Sequence, residues 1–485
     1  MSNPPKPLSD LAAALVRHVE DSARGFGVPG YAVVALSRGM SYVKCGGVSS
    51  LDAGGEVGPR TAFNIASCSK AFTSALAGRE VAAGRLDWET RIDQILPEFD
   101  LGERWYTGQV TIRDLCSNRI GLSKSGITGF GARPQMTVFD LFDRVRHVRQ
   151  EREFRTEYQY FNLGHSAAAA ALGRIDGGDF LASLARQIFQ PLGMEGAIGG
   201  IAASAHRSRL ASGHMVIDEA VADIGLATHE QYIGAGQLWL TASDLIPWLR
   251  CQLAMEPELS LAGLRPEDIA EMQRAHIVAT PRGDDVAGIA STEGLKAYCL
   301  GWQTVVDKGL RIVRHAGGDF GYASNIILVP QFGIAVAVLC NLFSYFPMNV
   351  SEDIVAWLTG ADLPRRETVA LGSEFPTPDA VYPTSVSSAR GALIPGIYRH
   401  PENGLLRVEE SGSDVRLTFD DAPTYNSTVV RDEMGRLLAR PLYSPVFTFR
   451  GGENPWSVDV GDAEAVRFSP LGEFRANSED GNNAI

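Results

Sequence analysis

The chain has 485 residues, of which 45% are hydrophobic and 21% charged. That length suffices for two or three domains, and the composition is that of a globular protein rather than a disordered chain. A formal net charge of −13 argues against nucleic acid or an anionic membrane as the main partner, and no apolar run reaches the length of a membrane span.

The first element is a short amphipathic helix. Its apolar stretch Leu11–Val16 is followed by Arg17, His18, Glu20 and Asp21, which does not read as a secretory leader. Two β-rich runs around Ser37-Arg38-Gly39 then predict a hairpin over residues 31–45. Helix-like stretches follow at 71–83, 138–149, 164–175, 180–190 and 242–255. A second hairpin is predicted at 325–339, around Pro330-Gln331-Phe332, and a helix at 350–359. Strands at both ends with helices inserted between them imply one α/β domain over 1–362, with an antiparallel sheet, flanking helices and an all-helical lobe. Prolines 364, 376, 378 and 383 among serines and threonines mark a linker over 363–392. Eight short β-like runs between 396 and 469 then imply a small all-β antiparallel barrel over 393–485, expected to serve as a cap or scaffold. The six cysteines, Cys45, Cys68, Cys116, Cys251, Cys299 and Cys340, include no C-x-x-C pair. They are expected to be reduced and buried, consistent with a cytoplasmic protein. No metal-ligand spacing is present.

The most informative segment is Ser67-Cys68-Ser69-Lys70 at the head of the 71–83 helix. A serine and a lysine three apart on a helix share a face, so the amine can reach the hydroxyl and activate it as a nucleophile. The same spacing recurs at Ser41-Tyr42-Val43-Lys44. There it falls in a strand, where i and i+3 point to opposite faces. Two further segments fit acyl chemistry. In Tyr158-Gln159-Tyr160-Phe161-Asn162, a tyrosine near a cationic lysine is expected to have a lowered pKa and to act as a base, with Asn162 orienting the groups. In His315-Ala316-Gly317-Gly318, small residues let a substrate approach the strand, and the N–H groups of Ser67 and Gly318 are placed to form an oxyanion hole.

The order S-x-x-K, Y-x-N, H-x-G resembles the three-motif pattern of serine β-lactamases and penicillin-binding proteins, in particular the class C β-lactamase, esterase and D-aminopeptidase group. The resemblance covers roughly residues 25–360. It includes Val28-Pro29-Gly30, Thr61–Ala66, Val110–Leu115 with Gly121-Leu122, Gln190–Met194, Gly234-Ala235-Gly236 with Thr241–Leu245, and Leu300-Gly301-Trp302. The C-terminal barrel is similar to the lipocalin-like domain of some members. Asn118 and Ile120 stand where the group usually has histidine and serine. His315 replaces the third-motif lysine, so the cationic anchor for a substrate carboxylate is lost or becomes pH-dependent. The resemblance implies a serine hydrolase of a small ester, amide or short peptide, needing no cofactor. Ser67 is the nucleophile, Lys70 and Tyr160 share the base role, and Asn162 and His315 position substrate. An acyltransferase or cyclising thioesterase would share the acyl-enzyme, and a non-turning-over sensor would stop at it. The pocket is expected to be shaped by loops 126–135 and 284–293.

Overall fold

The computed structural model describes residues 8–122, 137–146, 148, 150–200, 208–217, 220–226, 228–279, 295–307 and 309–360, and strand segments between 396 and 470. The predicted linker and both predicted pocket loops lie outside the described residues. The chain divides into two compact units, one holding the segments up to residue 360 and the other the C-terminal strands.

The first unit is built on an eight-stranded antiparallel sheet. Its strands are β1 (Gly30–Ser37), β2 (Met40–Gly47), β3 (Ile277–Val278), β4 (Leu295–Tyr298), β5 (Gln303–Asp307), β6 (Leu310–Asp319), β7 (Tyr322–Val329) and β8 (Ile334–Cys340). They lie in the order β2-β1-β8-β7-β6-β5-β4-β3. The two predicted hairpins are β1–β2 and β7–β8, and they meet: β1 pairs with β8 in the register Val34↔Ala337. Every residue of β1, β7 and β8 is buried, as expected for strands covered on both faces. One face carries the helices Leu8–Gly25 and Phe346–Thr359, with Val19, Phe26, Val33, Val336, Ile354 and Leu358 in one core cluster.

The helices Lys70–Ala82, Asn162–Ile175 and Ala242–Gln252 match predicted stretches within a few residues. Phe72 stacks on Trp248 at 3.7 Å, tying the first of these to the third. The predicted 138–149 helix ends at Val145, and the 180–190 helix passes into a π-helical turn at Ala185. Two of the recurring sequence blocks are helix starts. Thr111 and Asp114 form a capping box on Ile112–Cys116, and Thr241 and Asp244 form another on Ala242–Gln252. Each box satisfies amide N–H groups that the first helical turn leaves without partners.

In the second unit nine short strands form one antiparallel sheet, close to the predicted runs: Gly396–His400, Gly404–Ser411, Asp414–Phe419, Ser427–Arg431, Leu437–Arg440, Phe447–Arg450, Ser457–Val460, Val466–Arg467 and Ser469–Pro470. The last strand pairs with the first, Arg399 opposite Ser469, while Val466 pairs with Val458.

Candidate active site

A short strand, Ala62–Asn64, leads into a 3₁₀ turn, Ala66–Ser69, that continues as the Lys70–Ala82 helix. Ala66 holds a left-handed φ of 47°, unusual for a residue with a Cβ. The Asn64 side chain braces it, Oδ1 accepting from Ala66 N at 2.7 Å. Ser67 emerges from this turn partly exposed, whereas Lys70 is fully buried. Lys70 Nζ lies 2.9 Å from Ser67 Oγ, 2.8 Å from Asn162 Oδ1 and 2.8 Å from Ala235 O. Burial lowers the Lys70 pKa to about 7, against the opposing pull of Cys68 and Asp319. A neutral amine has two N–H donors and one lone pair. Asn162 Oδ1 and Ala235 O take the donors, and the lone pair then faces the Ser67 hydroxyl.

The Tyr160 hydroxyl donates to Ser67 Oγ at 2.8 Å, and its ring lies 4.8 Å from Lys70 Nζ. Here the sequence expectation needs correction. Burial pushes the Tyr160 phenol above its ordinary value, and a near-neutral Lys70 supplies little charge to lower it. Tyr160 is thus a hydrogen-bond donor to the serine rather than a phenolate. Its position is set by Asn118, one of the two departures from the family pattern. Asn118 O accepts from Gln159 N at 3.0 Å and its Oδ1 from Phe161 N at 3.1 Å, the two amides flanking Tyr160. Asn118 itself adopts a φ of 54°, which asparagine tolerates better than most residues.

β6 closes the other side. Its side chains alternate: Ile312 joins the terminal-helix core and Arg314 pairs with Glu352 of the Phe346–Thr359 helix, while His315, Gly317 and Asp319 face the serine turn. A Cβ on Gly317 would stand 2.4 Å from Ile65 O and 3.1 Å from Ser67 N, so only glycine permits this approach. Gly318, the next residue, is exposed beside it. Cys68 Sγ donates to His315 O at 3.1 Å; burial pushes its thiol up to about 12, which makes it a tie between turn and strand rather than a reactive group.

His315 is buried. Its Nδ1 lies 2.6 Å from Ala316 O and its Nε2 3.1 Å from the Tyr298 hydroxyl, which fits an Nδ1–H donor and an Nε2 acceptor. Burial, and after it the charge of Lys70, lowers its pKa to about 3. His315 is therefore neutral at ordinary pH. The cationic anchor is lost outright rather than made pH-dependent.

Sequence reasoning missed several contributors. Asp319 Oδ2 accepts from Asn64 Nδ2 at 3.1 Å and Gln237 Nε2 at 2.7 Å, and Oδ1 from Phe320 N at 2.9 Å. Both amides are oriented by a second bond, Asn64 Oδ1 to Ala66 N and Gln237 Oε1 to His229 N. Burial raises the Asp319 carboxyl against the opposing pull of His229 and these donors. The available signal was Asp319 itself, an acid directly after the glycine pair. The Leu300-Gly301-Trp302 block also gains a reason: a Cβ on Gly301 would stand 2.5 Å from Lys70 O.

A family model described as Beta-lactamase matches residues 15–361. Unguisins hydrolase ungD' of Aspergillus campestris (strain IBT 28561) is 27% identical over 346 residues, 69% of this chain and 62% of the relative, so the match spans less than two thirds of that protein. Penicillin-binding protein 4 of Amycolatopsis lactamdurans is 24% identical over 344 residues, 70% of this chain and 87% of the relative. Among solved structures, the octameric penicillin-binding protein homologue from Pyrococcus abyssi superposes with a TM-score of 0.62 at 18% identity, covering 94% of this chain and 100% of that one. At that identity the likeness shows a shared fold.

Proposed function

The chain belongs to the Beta-lactamase family, and from that premise we propose that it is a serine hydrolase cleaving an ester or amide bond of a small molecule or short peptide through an acyl-enzyme on Ser67. The observation that carries this reading is the pair of groups on one oxygen: Ser67 Oγ lies 2.9 Å from Lys70 Nζ and 2.8 Å from the Tyr160 hydroxyl, with the lysine pKa lowered to about 7. Lys70 takes the serine proton as Oγ attacks the carbonyl. The Ser67 and Gly318 N–H groups hold the developing oxyanion, a contribution of about 3 kcal/mol per donor in comparable sites. Tyr160 delivers a proton to the leaving group and recovers one from Lys70. Water then attacks the ester by the same route in reverse. Asn162 holds Lys70, and His315 lines the site as a neutral group, which favours substrates without a carboxylate at that end. No step calls for a cofactor.

The same reading assigns residues 1–362 to the catalytic domain, 363–392 to a linker and 393–485 to a lipocalin-like barrel. The barrel is supported by the pairing of the first and last C-terminal strands, and by strands Val466–Arg467 and Ser469–Pro470 standing at opposite ends of the sheet order though one residue apart in sequence. The likeness to the Pyrococcus abyssi structure also continues past residue 361. Six cysteines without a disulfide fit a cytoplasmic setting; no described helix is long and apolar enough to cross a membrane.

The test is intact-protein mass after brief exposure to p-nitrophenyl acetate, for wild type and Ser67→Ala. An acetyl increment on wild type alone, decaying as p-nitrophenol release continues, is expected. Equal labelling of both proteins, or of neither with several acyl groups, would overturn the assignment.

A further inference from the structure

His315, Gly317 and Asp319 stand along one face of β6 at intervals of roughly 7 Å, two residues apart. Gly317 abuts the Ser67 turn, so the strand presents two unlike ends on either side of the serine. The His315 end is neutral and aromatic. Tyr298 donates to His315, Tyr158 stacks on Tyr298 at 5.5 Å, and the Tyr160 ring lies 6.4 Å from His315.

The Asp319 end is polar. Asp319 is partly exposed, and its hydrogen-bond partners are N–H donors only, a set that suits a carboxylate. Among the described residues no lysine or arginine pairs with it. His229 lies near it. Its backbone N is bridged to Asp319 through the Gln237 amide, and its ring lies 5.1 Å from that of Phe320. His229 is 8% exposed, yet neither ring nitrogen has a hydrogen-bond partner. It is near enough to act on Asp319 electrostatically, but no hydrogen bond or ion pair joins the two. A buried imidazole with both nitrogens bare calls for an explanation. A ligand group lodged between it and the carboxylate supplies one.

We propose that Asp319 and His229 form a subsite for a protonated primary amine on the acyl half of the substrate, which makes aminoacyl esters and amides the preferred class. The proposal rests on the serine acyl-enzyme reading above. The orientation follows from Tyr160. As proton donor to the leaving group it stands at the His315 end, so the leaving group lies there and the acyl half extends toward Asp319. An ammonium donates to the Asp319 carboxylate and to a ring nitrogen of His229, which has no other partner.

The test compares the benzyl esters of D-alanine and of L-alanine with benzyl propionate, which has the same acyl chain without the amine. Benzyl alcohol release is followed for wild type, Asp319→Asn and His229→Gln. Ser67 labelling by p-nitrophenyl acetate and a thermal melt are recorded on each protein. In wild type, kcat/KM for one alanine ester is expected to exceed that for benzyl propionate by at least about tenfold, the scale of one charge-assisted hydrogen bond. Asp319→Asn brings the ratio near one, and His229→Gln reduces it. The ratio is the proper readout because Asp319 also acts on Lys70, and that effect is common to both substrates. Equal rates in wild type, or a preference surviving Asp319→Asn, would overturn the subsite while labelled Ser67 still stands as nucleophile. If Asp319→Asn does not fold, the wild-type ratio and His229→Gln decide. Absence of labelling by every ester would overturn the nucleophile and the subsite together.

Discussion

The closest fit in the site is also its most exacting test. In Gly317→Ala the new methyl would stand 2.3 Å from Ser324 Oγ and 2.4 Å from Ile65 O. The serine hydroxyl can rotate away, but Ile65 O is backbone in the segment that leads into the Ser67 turn. Restoring ordinary contact, at 3.4 Å or more, requires β6 and the turn to part by about 1 Å. That displacement moves the Gly318 N–H relative to the Ser67 carbon–oxygen bond by a similar amount. Misplacement of about 1 Å at a reacting centre costs on the order of 100-fold. The expected result is therefore a loss of that size in kcat/KM on p-nitrophenyl acetate. Gly318→Ala provides the contrast. Its methyl would meet the Phe343 ring edge at 2.6 Å, and a ring edge can tilt, so the loss is smaller. Activity of Gly317→Ala within threefold of wild type, in a protein with an unchanged Tm, would refute the packing argument and the oxyanion assignment built on it.

The neutral-lysine mechanism predicts a pH profile. With the Lys70 pKa lowered to about 7, the competent form is the deprotonated one, so kcat/KM for a neutral ester rises with pH and levels off above about 8. Two units below that pKa about 1% of the amine is neutral, and a rate at pH 5 equal to that at pH 8 would contradict it. Tyr160→Phe removes one hydroxyl from Ser67 Oγ and is expected to lose most turnover while keeping the fold. Near-normal kcat in a folded variant would remove Tyr160 from the mechanism. Asn118→Ala strips the acceptor from the buried Phe161 N–H and is expected to cost about 1–3 kcal/mol of stability. It also lets Tyr160 shift, so kcat falls more than KM changes. An unchanged melt and unchanged kcat would show that the clamp does nothing.

What the sequence determined by itself was local. The three-residue interval from Ser67 to Lys70 places both groups on one turn, as the structure has them, because helical pitch is a property of the backbone alone. The same rule dismissed Ser41 and Lys44: β2 is a strand, and Lys44 pairs with Glu20. The capping boxes at Thr111 and Thr241 are equally short-range. Tertiary structure decided the rest. Asn64, Asn118, Ala235, Gln237 and Asp319 converge on the serine from positions up to 255 residues apart in a single hydrogen bond, and no local period encodes such meetings. The titration of the site was likewise undetermined until the chain packed. Burial makes Lys70 a base near neutral pH, keeps Tyr160 protonated and holds His315 neutral, and it reversed the expectation for the tyrosine. Desolvation is a collective effect of everything around a group, so it exists only once distant segments have closed over the side chain.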